Sequence, residues 1–235
     1  MSVNEKMIAI ADAIRDKTGG SEALTLDDMA SGVNEVYEAG KLAEQREFWE
    51  KFQQGGKRTE YRHAFQSNTF TDDFYNPIYP ITIGSSDANV FYKTELTDTK
   101  VKVFYPNRSS TSIYGIQAPA NCFSESKLVT IRELEISEAI NCSGGFAHMA
   151  YLENIKISGT IGRAFEIAES PLTAESLKSI ITHLKDYSGT DREYTYTVTF
   201  KTSAFEALEA EGSTSPNGNT WAEYIDDLKW NLTLS

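Results

Sequence analysis

The sequence has little sulfur and little imidazole: two cysteines, Cys122 and Cys142, and three histidines in 235 residues. Two cysteines cannot supply a disulfide framework, so the fold must rest on a buried core. A chain of this length is long enough to build one, as one large domain or two smaller ones. His63, His148 and His183 stand far apart, none at metal-ligand spacing from a cysteine or carboxylate, so each reads as a surface or packed histidine. No metal or cofactor is implied. No apolar run approaches the ~20 residues of a membrane span, which argues against membrane insertion. The first residues lack the basic and apolar segments of an export signal, so the chain reads as made in a reducing cytoplasm. Cations are also scarce: 22 Lys and Arg against 34 Asp and Glu leave a net charge of −12. A surface this acidic repels phosphate backbones and anionic lipid, so nucleic acid is a poor partner. Catalytic motifs are missing as well. There is no Gly-rich phosphate loop and no nucleophile elbow, and Ser143-Gly144-Gly145 reads as a turn.

What is present divides by charge. Residues 1–60 sum to −4, residues 61–120 to zero and residues 121–235 to −8. The neutral stretch also holds 11 of the 27 aromatic residues. These shifts predict an α+β chain of three modules: a helical one over 1–56, a small β-rich middle over 57–120 and a C-terminal module over 121–235.

Asn4 can cap a first helix, in which Met7, Ile8, Ala11 and Ile14 recur at helical spacing before Gly19-Gly20. Thr25 with Asp28 resembles a capping box, and no proline interrupts the chain from there to Pro77. A long helix over about 27–54 follows. Met29, Val33, Val36, Gly40 and Ala43 step by 4, 3, 4 and 3 along it, a heptad seam of about two heptads that Glu47 interrupts. The seam reads either as packing within its own domain or as a short coiled-coil-like stalk for self-association. Phe48, Trp49 and Phe52 cluster just beyond it. In the middle, Ile81-Thr82-Ile83, Val90-Phe91-Tyr92 and Val101 to Tyr105 read as strands, with turns at Asn76-Pro77 and Tyr79-Pro80. The aromatics Tyr61, Phe65, Phe70, Phe74, Tyr75 and Tyr79 read as a small core or as a platform for sugar rings.

The C-terminal part repeats. Phe123 and Phe146 lie 23 residues apart; Leu128 and Leu152, and Ile131 and Ile155, lie 24 apart. That period falls within the range of leucine-rich repeats, so the spacing predicts a short leucine-rich-repeat-like β-solenoid, with Phe165 and Ile167 opening a truncated third coil. An α/β cap follows: a helix through Leu177, Ile180, Ile181 and Leu184, an alternating strand through Tyr194, Tyr196, Val198 and Phe200, short helices near Phe205 and Trp221, and a closing strand through Trp230, Leu232 and Leu234. The segment from Gly212 to Asn219 reads as an exposed turn-rich insertion. Cys122 and Cys142, both near repeat aromatics, read as buried thiols, with a bond between them left open.

Three stretches together carry a resemblance. Ile10 to Arg15, Lys17-Thr18-Gly19 and Leu24 to Met29 resemble an N-terminal module of tail and baseplate proteins in phages and prophages of Firmicutes. Tyr37 to Lys41, Phe48-Trp49 and Tyr61 to Phe65 resemble the linker that follows it there. The repeat and its end, Leu172 to Ser176 and Trp230 to Leu234, resemble BspA-like leucine-rich repeat tails in the same proteins. The resemblance implies a non-enzymatic virion structural protein, located in the tail and assembled in the host bacterial cytoplasm. Its implied partners are other tail or baseplate proteins, further copies of itself (a trimer among the options) and a host-surface glycan or protein. It brings no catalytic residues. Two alternatives stand beside it. One is a tail-associated polysaccharide-degrading enzyme, for which Glu133 and Glu135, on one side of a strand, have the spacing of a glycosidase pair. The other is a bacterial leucine-rich-repeat surface adhesin.

Overall fold

The structure, a computed structural model, describes residues 3–18, 31–38, 40, 43–44, 47, 66–67, 81–83, 89–103, 116–117, 122–191 and 196–235. In chain order the elements are α1 (Val3–Thr18), α2 (helical over 31–38), β1 (Ile81–Ile83), β2 (Asp98–Val103), β3 (Ile116–Gln117), β4 (Thr130–Ile136), β5 (Ile140–Asn141), β6 (Asn154–Gly159), β7 (Phe165–Ile167), α3 (Ala174–Ile181), β8 (Tyr196–Phe200), α4 (Thr202–Ala210), α5 (Trp221–Asp227) and β9 (Trp230–Leu234). The chain forms two compact units, Met1–Lys51 and Phe52–Ser235.

In the first unit α1 buries Ala11 and Ile14. Gly32 of α2 lies so close to Ile14 that a side-chain carbon there would collide with it, which is why glycine occupies the position.

In the second unit every strand pairing is parallel, so each connection must cross over rather than turn back. β1, β2, β4 and β6 form one sheet in that order; β3 pairs with β5, and β7, β8 and β9 form a third sheet. β4 pairs Ile131 with Ile155 and Leu134 with Ile157 of β6. The apolar step on β4 is three residues against two on β6, so β4 carries a bulge that keeps Ile131, Leu134 and Ile136 all buried. In the core, the rings of Phe91, Phe123 and Phe146 stack at centroid separations of 5.6 and 4.8 Å, and Phe165 follows at 5.1 Å, tilted by 38°. Stacking at this spacing adds to the burial of four large apolar side chains.

The third sheet follows its own logic. Val198 and Phe200 are fully buried, and α4 and α5 carry the crossover from β8 to β9. Thr220 and Glu223 close a reciprocal capping box on α5. Trp230 Nε1 donates to Lys185 O at 2.8 Å, and the Tyr187 hydroxyl donates to Gly162 O at 2.6 Å. These buried polar tips are satisfied, as a packed core requires.

Three expectations are corrected. The fold is α+β with small, open, parallel sheets, rather than a capped leucine-rich-repeat-like β-solenoid behind a separate β-rich middle. β1 and β2, expected in the middle module, are strands of the same sheet as β4 and β6. That sheet ends at β6 for a chemical reason: the Ile155 and Ile157 amides donate to the Ser176 and Ser179 hydroxyls of α3, at 3.0 and 2.9 Å, so no further strand can pair there. At the end of β6, Gly159 takes φ +89° under the Ile136 carbonyl, and β7 opens a different sheet. Val90-Phe91-Tyr92 is a turn, not a strand, because Phe91 serves the ring stack. The helical part is not a lone coiled-coil-like stalk, since Ile14 of α1 packs against Gly32 of α2. The Gly212–Asn219 segment is exposed and turn-rich as the sequence predicts, and it is anchored through Ser215, which is buried and donates to Asn219 O at 2.9 Å. The aromatics Phe48, Trp49, Phe52, Tyr61, Phe65, Phe70, Phe74, Tyr75 and Tyr79 lie outside the described residues, as do Thr25, Asp28, His63 and Tyr194.

Candidate functional site

The outer face of the four-stranded sheet carries charge, and most of it is paired between neighbouring turns and strands. Lys93 meets Glu125 at 3.2 Å, Lys127 meets Glu95 at 2.8 Å, Lys100 meets Glu133 at 2.8 Å and Arg132 meets Asp98 at 2.7 Å. Such exposed pairs contribute about 0–1 kcal/mol each, so they set register and neutralise the face more than they stabilise it. Lys156, one strand further on β6, breaks the pattern. It is exposed and makes no hydrogen bond or ion pair among the described residues. Glu133 feels its charge but is hydrogen-bonded to Lys100.

Beside Lys156 the sheet meets α3, and an open groove of about 510 Å³ runs between them. The helix stands there because Thr173 caps it, accepting from Ser176 N, and because Leu177, Ile180 and Ile181 form its buried face. Ser176 ties it down: its hydroxyl accepts from Ile155 N and donates to Glu153 O at 2.9 Å. The groove brings together Arg132 and Lys156 from the sheet, Lys178 from the helix and His183 from the turn just after it, with Glu175 as the one carboxylate among the described lining residues. Arg132 and Lys178 are compensated from outside, by Asp98 and by Glu211 at 2.8 Å. His183 Nδ1–H donates to Ser179 O at 2.7 Å, which leaves Nε2 as an acceptor in the neutral ring. Ser179 Oγ accepts from Ile157 N and keeps its own proton to donate. No Phe, Tyr or Trp is among the described residues that line the groove. Among them it offers one cation without a hydrogen-bonded partner, together with hydroxyl, amide and imidazole groups on a largely apolar surface.

The seam residues fare unevenly. Val33 is 51% exposed, Gly40 and Ala43 are exposed and Val36 is half-buried; Met29 lies outside the described residues. Ile8, Ile10 and Tyr37 of the same unit are also exposed. Glu133 and Glu135 both sit on β4, but hydrogen bonding to Lys100 holds the Glu133 carboxyl below its ordinary value. A general acid needs a shift in the opposite direction. Cys122 and Cys142 are buried thiols not joined by a disulfide, and burial pushes the Cys142 thiol up to about 12. Among the described residues no group of His, Cys, Asp and Glu is placed to hold a metal ion, and no helix is long and apolar enough to cross a membrane.

Sequence reasoning missed Lys156, Lys178 and the role of Ser176 and Ser179. The available signal was serines three apart on a helix whose other face is apolar. No protein-family profile, curated protein or solved structure matches the chain.

Proposed function

We propose that the chain is a non-catalytic structural component of a phage tail or baseplate, whose N-terminal unit associates with copies of itself or with neighbouring tail proteins and whose larger unit faces a host surface. The observation that carries this reading is the placement of exposed apolar side chains. Of six large apolar residues exposed among the described residues, four (Ile8, Ile10, Val33 and Tyr37) belong to Met1–Lys51. Leaving such side chains in water costs free energy, and a helical unit that carries several of them is suited to a protein partner. The resemblance of the same segment to tail-protein N-terminal modules supports the setting.

Light scattering on the eluting full chain tests the association. The expected mass is a multiple of 26.2 kDa, and Val33→Asp shifts it toward the single-chain value with unfolding cooperativity unchanged. A single-chain mass for the unaltered protein at micromolar concentration counts against self-association.

A further inference from the structure

We infer that the groove between β6 and α3 binds an anionic, hydroxyl-rich polymer, a polysaccharide bearing carboxylate or phosphate groups, with Lys156 on the anion. Three observations converge on this chemistry. First, Lys156 has no counter-charge in hydrogen-bonding contact on a sheet face where Lys93, Lys100, Lys127 and Arg132 all have one. Lys156 is thus the one cation among the described lining residues without a hydrogen-bonded carboxylate, on a chain of net charge −12. Second, the groove surface is largely apolar, and the polar groups that it does present can exchange hydrogen bonds with hydroxyl groups. Ser179 retains a donor, His183 an acceptor and Asn154 a side-chain amide with both. Third, the groove is open and the described lining residues include no Phe, Tyr or Trp, so a neutral sugar has no broad ring face to stack on. Specific affinity then requires charge-assisted hydrogen bonds. Glu175, the one carboxylate among the described lining residues, opposes an anion, so binding is weak per site and gains from repeated anionic units along a polymer and from repeated copies of the chain. The acidic remainder of the protein acts over about a Debye length, ~10 Å at 0.1 M salt, so moderate salt screens that repulsion while leaving contacts inside the groove.

The inference deepens the host-surface part of the proposed function by naming a ligand class, and it rests on that reading only for its biological setting. Its test is independent of assembly: the chain can fail to oligomerise and still bind, or the reverse. The full chain is titrated by calorimetry at about 0.1 M salt with polygalacturonate, phosphorylated dextran, neutral dextran and inorganic polyphosphate. Binding of polygalacturonate or phosphorylated dextran, with neutral dextran inert, is the expected result; the tighter of the two identifies the anionic substituent. Lys156→Glu is expected to weaken binding about tenfold or more, and Glu175→Gln to tighten it about two- to threefold, since each changes charge inside the groove. Lys229→Glu makes the same change in net charge outside the groove and is expected to leave affinity within about twofold. Lys156 is exposed and without hydrogen bonds, so its variant melts like the parent, and thermal unfolding checks this directly. An equal loss for Lys156→Glu and Lys229→Glu overturns the site, because the protein's overall field alone then accounts for binding. Polyphosphate bound as tightly as either glycan overturns the hydroxyl-recognition half. No binding of either anionic glycan at millimolar repeat-unit concentration overturns the whole inference.

Discussion

Phe146 is the most informative single residue for the packing described here. Its ring sits between Phe123 at 4.8 Å and Phe165 at 5.1 Å, and it is 2% exposed. Phe146→Ala removes a buried ring, leaves a cavity and breaks two ring contacts at once. Buried Phe→Ala changes cost about 3–5 kcal/mol, and each ring pair adds about 0.5–1.5 kcal/mol beyond burial, so the loss belongs in the upper half, about 4–5 kcal/mol. That is a large fraction of the ~5–15 kcal/mol that holds a typical protein folded. For a unit of this size it corresponds to a fall in melting temperature of roughly 8–20 °C. Phe146→Leu keeps much of the volume but loses both ring contacts, and is expected to cost about 1–3 kcal/mol. Urea unfolding followed by far-UV circular dichroism reads these values, with an unchanged slope showing that the unfolded state is not what moved. Tyr151→Ala, at a residue 56% exposed, serves as the control and is expected to change stability by less than about 0.5 kcal/mol. A Phe146→Ala loss below about 1.5 kcal/mol, or no larger than the Tyr151 control, refutes the stacked-ring core.

Other consequences follow from single contacts. Ser176→Ala removes the acceptor of the buried Ile155 amide, and is expected to cost about 1–3 kcal/mol by urea unfolding, with faster amide exchange along β6. Cys122 and Cys142 are expected to be silent to a thiol reagent at neutral pH in the native protein and to react together, two per chain, once denaturant is added; fast labelling of either thiol in the folded protein contradicts their burial. Hydrogen bonding to Lys100 lowers the native Glu133 carboxyl below its ordinary value of 4.5. Its contribution is therefore complete above that value and is lost as the pH falls from there through the lower native one. Glu133→Gln is expected to flatten the acid limb of stability against pH without changing the neutral plateau by more than about 1 kcal/mol.

How far the sequence disclosed this structure depends on the distance over which each signal acts. Tyr196, Val198 and Phe200 alternate with threonines, and that local pattern alone marks β8, with Val198 and Phe200 fully buried. Thr173 and the apolar stripe Leu177, Ile180 and Ile181 mark α3 in the same way. The 24-residue offset is real as a pairing, because Ile131 lies opposite Ile155. It misleads as an architecture, since the ring stack is spaced 32, 23 and 19 residues along the chain. Phe91 looked like strand because Val, Phe and Tyr favour extended backbone locally, and its place in the ring stack overrides that preference. What ends the sheet, two serine hydroxyls of a helix meeting two strand amides, has no periodic trace. The groove was illegible for a related reason: Lys156 and Lys178 are 22 residues apart, and only the packing of α3 on β6 makes them neighbours.

Gold-conjugated antibody raised against the chain, applied to particles released from cells that encode it and viewed by electron microscopy, addresses the proposed role most directly. Gold clustered at the tail, at the end away from the head, is the expected result. Unlabelled particles, with the chain recovered only from the soluble fraction of the lysed cells, would contradict it.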